Sequence, residues 1–441
     1  MDNLESISPL DGRYYSSVKE LSEIFSEYAL IKKRVFIEIE YLIAFCRVTK
    51  EVQFNEDSLR NIYYNFSIMD AKEIKKIEKR TEHDVAAVIA FIKERVPENM
   101  RRFVHFGLTS EDVNNLAYGL MLKDGVKLYA SQLKNVILLL KEYIEKYRSD
   151  IMLSHTHGEP ATSTTLGKEF ANYAVRFSMQ YKKLKRTEIQ GKLNGATGNF
   201  NAIKTIYPDI NWINFSKEFV KGLGLSPTLF STQILFADSY AELFDTMRRI
   251  NAIIIDFARN VWIYFLLGYF SLEVSKESVG SSTMPHKINP ILFENSEGNA
   301  EIAENLLWFF SRKLTKSRLQ RDLSDSTVKR NIGVAFGHSM LAVKSIEAGL
   351  KKLKINKGKI QQDLETHPEI FSELLQLYLR KVEKTNGYKE IKQRLRGKKV
   401  SYEELVKMLP NKDSETLTSS FLLGNSQNLV SRALEIIEKS L

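Results

Sequence analysis

Cysteine is almost absent from this chain of 441 residues, in which Cys46 carries the single thiol. A lone cysteine excludes an internal disulfide and suits a reducing compartment. The N-terminal sequence, MDNLESISPLDGRYY, lacks the basic start and the apolar core of a secretory signal. We therefore expect a cytoplasmic protein.

Proline and glycine are also scarce, with 9 and 21 residues. Proline is missing from four long stretches: 98–159, 161–207, 228–284 and 291–367. Because proline removes a backbone donor and clashes inside a helix, its absence over such lengths favours long helices. Alternating apolar and polar runs, which would indicate strands, are scarce as well. The sequence therefore predicts an all-α fold.

A long hydrophobic run is the third feature that the chain lacks. The most apolar stretch runs from Ile250 to Phe270 and is interrupted by polar residues: Asn251, Asp256, Arg259 and Asn260. Its uninterrupted part, 261–270, falls well short of the roughly 20 residues that span a bilayer. We interpret the stretch as the centre of a helical bundle and expect no membrane partner.

The net charge of +10 is unevenly distributed. Residues 351–400 carry 14 Lys or Arg against 6 Asp or Glu, a net of +8, so the rest of the chain holds only +2. A basic segment attracts nucleic acid and other polyanions. Acidic residues and apolar helical spacing are interleaved throughout this segment, which favours a solvated helical surface. We therefore expect no nucleic-acid partner.

Apolar residues recur at helical spacing over most of the chain. The predicted helices cover residues 19–48, 70–96, 163–190, 232–273 and 291–318, and another long helix follows the polar loop at 105–110. A chain of this length exceeds one ordinary core. We predict three helical domains: an N-terminal domain (1–108), a central bundle of very long helices (109–350) and a C-terminal domain (351–441).

The loop at 280–290, GSSTMPHKINP, is the segment most typical of a functional site. It lies between two predicted helices, and chemistry often resides on loops held by a rigid scaffold. An ordinary turn would use the same Gly, Ser and Pro residues. Two adjacent serines followed by Lys287 and Asn289 favour a site, because together they offer donors to an anionic group.

Two histidines, His155 and His157, lie in a second polar segment, SHTHGEPAT at 154–162. No cysteine or paired carboxylate nearby completes a metal-ligand set, so we expect no metal. A loop histidine just before a helix suits a general acid or base, since its unperturbed pKa is ~6.5. Taken alone, either histidine is better explained as a hydrogen-bonded structural residue.

Further polar clusters lie at 13–14, 80–84, 109–112 and 321–330. Thr109 or Ser110 followed by acidic residues predicts a helix start, whose free N–H groups also bind anions. Arg321 and Arg330 are suited to hold phosphate, or only to pair with the aspartates between them. A glycine-rich phosphate loop of the Walker or Rossmann kind is missing, which argues against an NTP or dinucleotide cofactor.

These segments together resemble the fumarase/aspartase superfamily, whose signature loop has the form GSSxMPxKxN. The histidine between Pro285 and Lys287 is typical of its adenylosuccinate lyase family. Five other segments are similar to the bacterial branch of that family: SPLDGRY (8–14), HFGLTSEDVNNLA (105–117), THGEPAT (156–162), FENSEGN (293–299) and QRDLSDSTVKRN (320–331). The resemblance therefore covers most of the chain.

The resemblance implies a cofactor-free elimination of fumarate from a succinyl-amino purine nucleotide. Ser281 would be the base that removes a proton from the succinyl Cβ. His157 would be the acid that protonates the departing nitrogen, with Glu294 hydrogen-bonded to it. Lys287 and Asn289 would stabilise the carboxylate beside the carbanion.

The resemblance also implies a set of substrate-binding residues. Thr109 and Ser110 would hold a substrate carboxylate. The phosphate contacts would be Arg13, Tyr14, Arg321, Ser326 and Arg330. The remaining members would be Glu82, His83, Asp84, Thr156, Gln233, Ile288, Asn289, Asn295, Thr327, Val328 and Lys329.

Two positions depart from the family pattern. Glu159 stands where the family usually has Gln, and Glu82 where bacterial relatives often have Asn. An extra carboxylate beside an anionic substrate repels it unless the carboxylate is paired or protonated.

The superfamily implies a helical homotetramer with a 20-helix core, in which each site draws residues from three subunits. Two alternatives remain open. A sister lyase acting on argininosuccinate, malate or aspartate would leave Arg321, Ser326 and Arg330 without a phosphate to bind. A non-catalytic scaffold would use the basic 351–400 segment to bind a polyanion.

Overall fold

The computed structural model describes residues 3–273, 283, 284, 286–382, 386–398, 400–408 and 420–441. The helices are α1 (Tyr15–Val18), α2 (Ser22–Phe25), α3 (Glu27–Thr49), α4 (Glu56–Tyr64), α5 (Ile68–Thr81), α6 (Asp84–Arg95), α7 (Ser110–Lys146), α8 (Leu166–Arg186), α9 (Asn201–Ile206), α10 (Trp212–Gly222), α11 (Asp238–Leu266), α12 (Ile291–Lys313), α13 (Ser324–Lys329), α14 (Ile332–Lys352), α15 (Lys357–Glu365), α16 (Ser372–Val382), α17 (Gly387–Leu395), α18 (Tyr402–Val406) and α19 (Ser426–Ser440). The predicted all-α class is confirmed.

The strands are short and pair two by two. They are β1 (Ile151–Thr156), β2 (Glu159–Thr165), β3 (Gln190–Gly191), β4 (Ser226–Pro227), β5 (Phe270–Leu272) and β6 (Leu353–Ile355). β1 pairs with β2 and β5 with β6 in antiparallel fashion, whereas β3 and β4 are parallel. Among the described helices, none combines the length and the apolar character needed to cross a membrane.

The chain divides into two compact units, each assembled from three stretches of sequence. The first unit comprises residues 1–131, 183–252 and 299–341, and the second comprises 132–182, 253–298 and 342–441. The long helices α7, α11, α12 and α14 contribute residues to both units. The division into three domains stays a prediction.

The long N-terminal helix α3 is shorter than the predicted helix over 19–48. It begins after Ser26, whose side chain accepts a hydrogen bond from the backbone N of Ala29, and it ends at Lys50, where φ is 55°. Short helical turns occupy residues 15–25 instead. A serine cap and a left-handed residue thus set its two ends.

The helix predicted over 70–96 is broken into α5 and α6. Glu82 ends α5 with a φ of 52°, and His83 begins α6, with its Nδ1 accepting a hydrogen bond from the backbone N of Ala86 at 3.2 Å. Histidine is not among the side chains preferred at helix starts, so the sequence pattern did not indicate this break.

The prediction of a helix from residue 163 is wrong at its start, because residues 151–165 form the hairpin of β1 and β2. Thr156 pairs with Glu159 across a two-residue turn, in which His157 and Gly158 have φ values of 57° and 82°. Positive φ at both central residues is what a type I′ turn requires. The turn exposes His157 at the tip of the hairpin.

A buried ion pair fixes the start of α7 within the first unit. Lys192 Nζ lies 2.9 Å from Asp112 Oδ1, and both side chains are fully buried. Asp112 also accepts hydrogen bonds from the backbone N of Thr109 at 2.9 Å and of Asn194 at 3.1 Å. The carboxylate therefore holds the loop before α7 against the segment after β3.

Replacing Lys192 by Met is expected to lower the free energy of unfolding by about 3–5 kcal/mol, because Asp112 would stay buried without its counter-charge. Denaturant unfolding followed by circular dichroism measures the loss. Lys127→Met is the matched control, since Lys127 is exposed and forms no ion pair with a described residue. Equal losses in the two variants would contradict the role given to the buried pair.

Candidate active site

Three predicted substrate-binding cations, Arg321, Lys329 and Arg330, lie on or beside α13 in the first unit. Each of them is paired with a carboxylate of the same unit. Their predicted contacts with substrate stay a prediction. The pairing shows that the cations are held in place by acids that come from several distant segments.

Glu111, in the first turn of α7, is the shared partner of two of these cations. Its Oε2 accepts a hydrogen bond from Arg321 Nη1 at 2.8 Å, and its Oε1 accepts one from Lys329 Nζ at 2.9 Å. Lys329 Nζ also donates to Asp325 Oδ2 at 2.7 Å. Burial raises the pKa of Glu111, but the charges of Lys329 and Arg321 outweigh it and hold that pKa below its ordinary value.

Asp84 holds two arginines rather than presenting a free carboxylate. Its Oδ2 accepts from Arg34 Nη2 at 2.7 Å and from Arg330 Nη2 at 3.1 Å. Arg330 Nη1 also donates to Glu27 Oε2 at 2.8 Å. Burial raises the pKa of Asp84, but the charge and the hydrogen bond of Arg34 lower that pKa by a larger amount. The pKa of this carboxyl is therefore below its ordinary value.

His83, beside Asp84, presents a hydrogen-bond donor to solvent. Because its Nδ1 accepts from a backbone N–H, the neutral ring carries its proton on Nε2. Half of the His83 side chain is exposed, at 52%. Glu82 and Arg13 are exposed too, and the Arg13 guanidinium lies 5.9 Å from the Tyr14 ring centroid. His83 and Arg13 are thus accessible to an anionic ligand.

The loop before α7 has the predicted geometry of a helix start. The helix begins at Ser110, and the backbone N of Thr109 is bound by Asp112, three residues on. The other predicted contacts of this unit are half-buried or exposed: Gln233 in the segment before α11, and Ser326, Thr327 and Val328 on α13.

No function was predicted for His105, the first residue of the same loop. It has a φ of 63°, and its Nδ1 lies 2.6 Å from Oε1 of the buried Glu38 on α3. A left-handed non-glycine residue paired with a buried acid is a feature that often marks a functional position. The separation of 67 residues between the two partners hid this pair from local pattern analysis.

The predicted acid and its orienting residue belong to the second unit. His157 and Thr156 are exposed on the hairpin, and His157 forms no hydrogen bond with a described residue. Glu294 Oε1 accepts instead from Trp262 Nε1 at 3.2 Å. The hydrogen bond between His157 and Glu294 is therefore not formed between the described residues of one chain, and it stays a prediction.

In the signature loop, the predicted base Ser281 lies outside the described residues. Lys287 and Ile288 are exposed, and Asn289 is half-buried just before α12. Asn295, on α12, donates from Nδ2 to Ser345 Oγ at 2.9 Å. The second unit thus offers an accessible imidazole and an accessible ammonium. In the described part of the chain, no cluster of three His, Cys, Asp or Glu side chains is arranged to hold a metal.

Replacing Glu111 by Gln is expected to flatten the acid limb of the stability profile. Because the pKa of Glu111 is lowered by folding, acid protonates the unfolded chain first, so its contribution is present above the ordinary value of 4.5 and is lost as pH falls through the folded pKa. Unfolding free energies measured between neutral and acid pH test this. Glu94→Gln, at an exposed position without a described ion pair, should leave the slope unchanged.

The sequence matches two family descriptions in succession. Residues 12–302 match the lyase family, and residues 317–423 match the adenylosuccinate lyase C-terminal family. The adenylosuccinate lyase of Dictyostelium discoideum is 46% identical, over 89% of this chain and 88% of its own length. That of Escherichia coli (strain K12) is 41% identical, over 100% of this chain and 99% of its own.

Solved structures with the same fold include two proteins of low sequence identity. The 3-carboxy-cis,cis-muconate lactonizing enzyme of Pseudomonas putida has a TM-score of 0.78 at 16% identity, covering 96% of this chain and 97% of its own. A fumarate lyase from Mesorhizobium sp. BNC1 has a TM-score of 0.76 at 17% identity, covering 95% and 97%. These likenesses show the fold, and the sequence relatives settle the classification: the chain is a lyase that belongs to the adenylosuccinate lyase family.

Proposed function

We propose that this enzyme eliminates fumarate from adenylosuccinate, giving AMP, and from succinyl-aminoimidazole-carboxamide ribotide, giving aminoimidazole-carboxamide ribotide. Membership in the family supports the reaction. The observation that carries the substrate class is the group of cations around α13, Arg321, Lys329 and Arg330, held by Glu111 and Asp84. A phosphorylated substrate gives these cations a ligand, whereas argininosuccinate, malate or aspartate would not.

The proposed chemistry is an anti elimination that uses one base and one acid. Ser281 takes a proton from the succinyl Cβ, the carbanion collapses to fumarate as the C–N bond breaks, and His157 donates a proton to the leaving nitrogen. The exposed tip of the hairpin leaves the His157 imidazole accessible for this step. Glu294 would orient the imidazole across a subunit contact.

A serine hydroxyl is a poor base in water, so the reaction needs its alkoxide to be stabilised. The positive charge of Lys287 and the donors of the signature loop would supply that stabilisation in a site closed against solvent. Asn289 would join Lys287 in binding the substrate carboxylate that takes on charge beside the carbanion.

We further infer a homotetramer with shared sites, acting in the cytoplasm. Large apolar side chains are exposed on two of the long helices: Trp262, Ile263 and Leu266 on α11, and Ile291, Ile302 and Trp308 on α12. Exposed apolar groups on a helical scaffold favour burial against another copy of the chain. Such an assembly would also bring a partner to His157, which has none among the described residues of its own chain.

Ser281→Ala and His157→Ala are each expected to abolish turnover while leaving the chain folded, because each removes one of the two proton-transfer groups. The assay supplies purified protein with adenylosuccinate and follows the ultraviolet change, with fumarate and AMP formed in equal amounts. His155→Ala is the matched control, since His155 is an exposed histidine two residues from His157. Near-normal rates in either variant would remove that residue from its role, and an inactive wild-type chain would refute the proposed reaction.

Mixing the two inactive variants is expected to restore part of the activity. If Ser281 and His157 of one site come from different subunits, mixed oligomers contain some sites with both groups intact. The variants are unfolded partially, re-equilibrated together and assayed, while each variant treated alone serves as the control. Mixed oligomers that stay inactive would show that both groups come from the same chain.

A further inference from the structure

Among the proposed contacts around α13, a substrate phosphate meets no unpaired cation, because Arg321, Lys329 and Arg330 are each already paired with a carboxylate. Arg321 and Lys329 share Glu111, and Arg330 is bound by both Glu27 and Asp84. A phosphate monoester that takes a donor already used in one of these pairs replaces a carboxylate as the hydrogen-bond acceptor. The burial of each pair decides which carboxylate is replaced.

The pair of Lys329 and Glu111 is poorly suited to opening, because the side chains are only 7% and 2% exposed. Separating them would leave a charge away from water. Arg330 and Glu27 are 39% and 40% exposed, so water can solvate both groups when they separate. Glu27 is thus the carboxylate that a phosphate replaces most easily.

Asp84, the second partner of Arg330, stays in place when Glu27 leaves. Its Oδ2 is also bound by Arg34 at 2.7 Å, and Arg34 is 2% exposed and anchored to Asn114 Oδ1 at 2.8 Å. Arg330 therefore keeps Nη2 on a fixed acceptor while its Nη1 changes partner. This leaves the guanidinium oriented during the exchange.

Glu27 also lies within ion-pair distance of a second cation, Lys75, which pairs with Glu78 as well. Lys75 Nζ lies 3.4 Å from Glu27 Oε1, on the oxygen that does not contact Arg330. Glu27 is also the first residue of α3, where the positive end of the helix dipole favours a carboxylate. Release from Arg330 thus leaves the Glu27 charge stabilised.

We propose that Glu27 competes with the phosphate of a phosphate-monoester ligand for Arg330 Nη1, and so sets the affinity of the enzyme for its nucleotide substrate and nucleotide product. This inference rests on the proposed role of Arg330 as a phosphate contact. Glu27 holds the guanidinium in the unliganded enzyme and moves toward Lys75 when the phosphate binds. Fumarate carries no phosphate, so its binding does not depend on this exchange.

Glu27→Gln removes the competing charge and keeps the side-chain shape. We expect the inhibition constant of AMP and the KM of the nucleotide substrate to fall about two- to fivefold, the size of a partly exposed ion pair. The inhibition constant of fumarate stays unchanged. Glu23→Gln is the control for a general change of charge, because Glu23 is exposed one turn earlier and forms no ion pair with a described residue.

Lys75→Met provides a test in the opposite direction. It removes the group that accepts Glu27 after release, so AMP should bind more weakly than to the wild-type enzyme. Lys76→Met is the matched control, since Lys76 is exposed beside Lys75 and has no described ion pair. Circular dichroism of all four variants verifies that they are folded.

Arg330→Met separates a failure of this inference from a failure of the proposed phosphate site. If Arg330→Met weakens AMP binding while Glu27→Gln leaves it unchanged or weakens it, the competition is refuted and the phosphate site stands. If Arg330→Met leaves AMP binding unchanged, Arg330 is not a phosphate contact and both ideas fail. In the combined Glu27→Gln, Arg330→Met variant, the gain from Glu27→Gln should disappear.

Discussion

The two buried carboxylates at the start of α7 are the constraint on which the first unit depends. Successive residues of a helix point about 100° apart, so Glu111 and Asp112 reach different partners from adjacent positions. Asp112 binds Lys192 and the loop before α7, whereas Glu111 binds Arg321 and Lys329. Neither acid can lose its cation without leaving a charge in the interior. The same two carboxylates therefore stabilise the fold of this unit and fix the positions of its cations.

The cations around α13 are already paired with acids in the enzyme without substrate. In the proposed exchange, a phosphate replaces an acid that already holds Arg330 in position. Burial distinguishes the carboxylates that are proposed to keep their cations, Glu111 and Asp84, from the more exposed Glu27, which is proposed to exchange. Under this proposal, pre-orientation of the cations lowers the entropy lost on binding, and the competing carboxylate lowers the affinity for the nucleotide product. Both effects follow from the same network of charges.

The second unit has the opposite character, because its proposed catalytic groups are exposed and little supported by their own chain. His157 sits at the tip of a two-residue turn, and Glu294 is bound to Trp262 on α11. The apolar side chains exposed on α11 and α12 lie within the predicted central bundle of long helices, residues 109–350. We interpret the exposure of the proposed catalytic groups and of the apolar residues in the same way: another copy of the chain covers both and completes the site.

Local sequence by itself determined the helical class, through the scarcity of proline, and the start of α7, through Thr109 and Ser110 followed by acids. The signature loop and its companion segments also indicated the family. Only the tertiary structure decided the break at Glu82 and the hairpin ahead of α8, since a histidine cap and a strand without alternating apolar residues give weak local signals. It alone decided the charge partners, because 218 residues separate Glu111 from Lys329 and 303 separate Glu27 from Arg330. Caps and periodicity are encoded between near neighbours, whereas an ion pair depends on how distant segments pack.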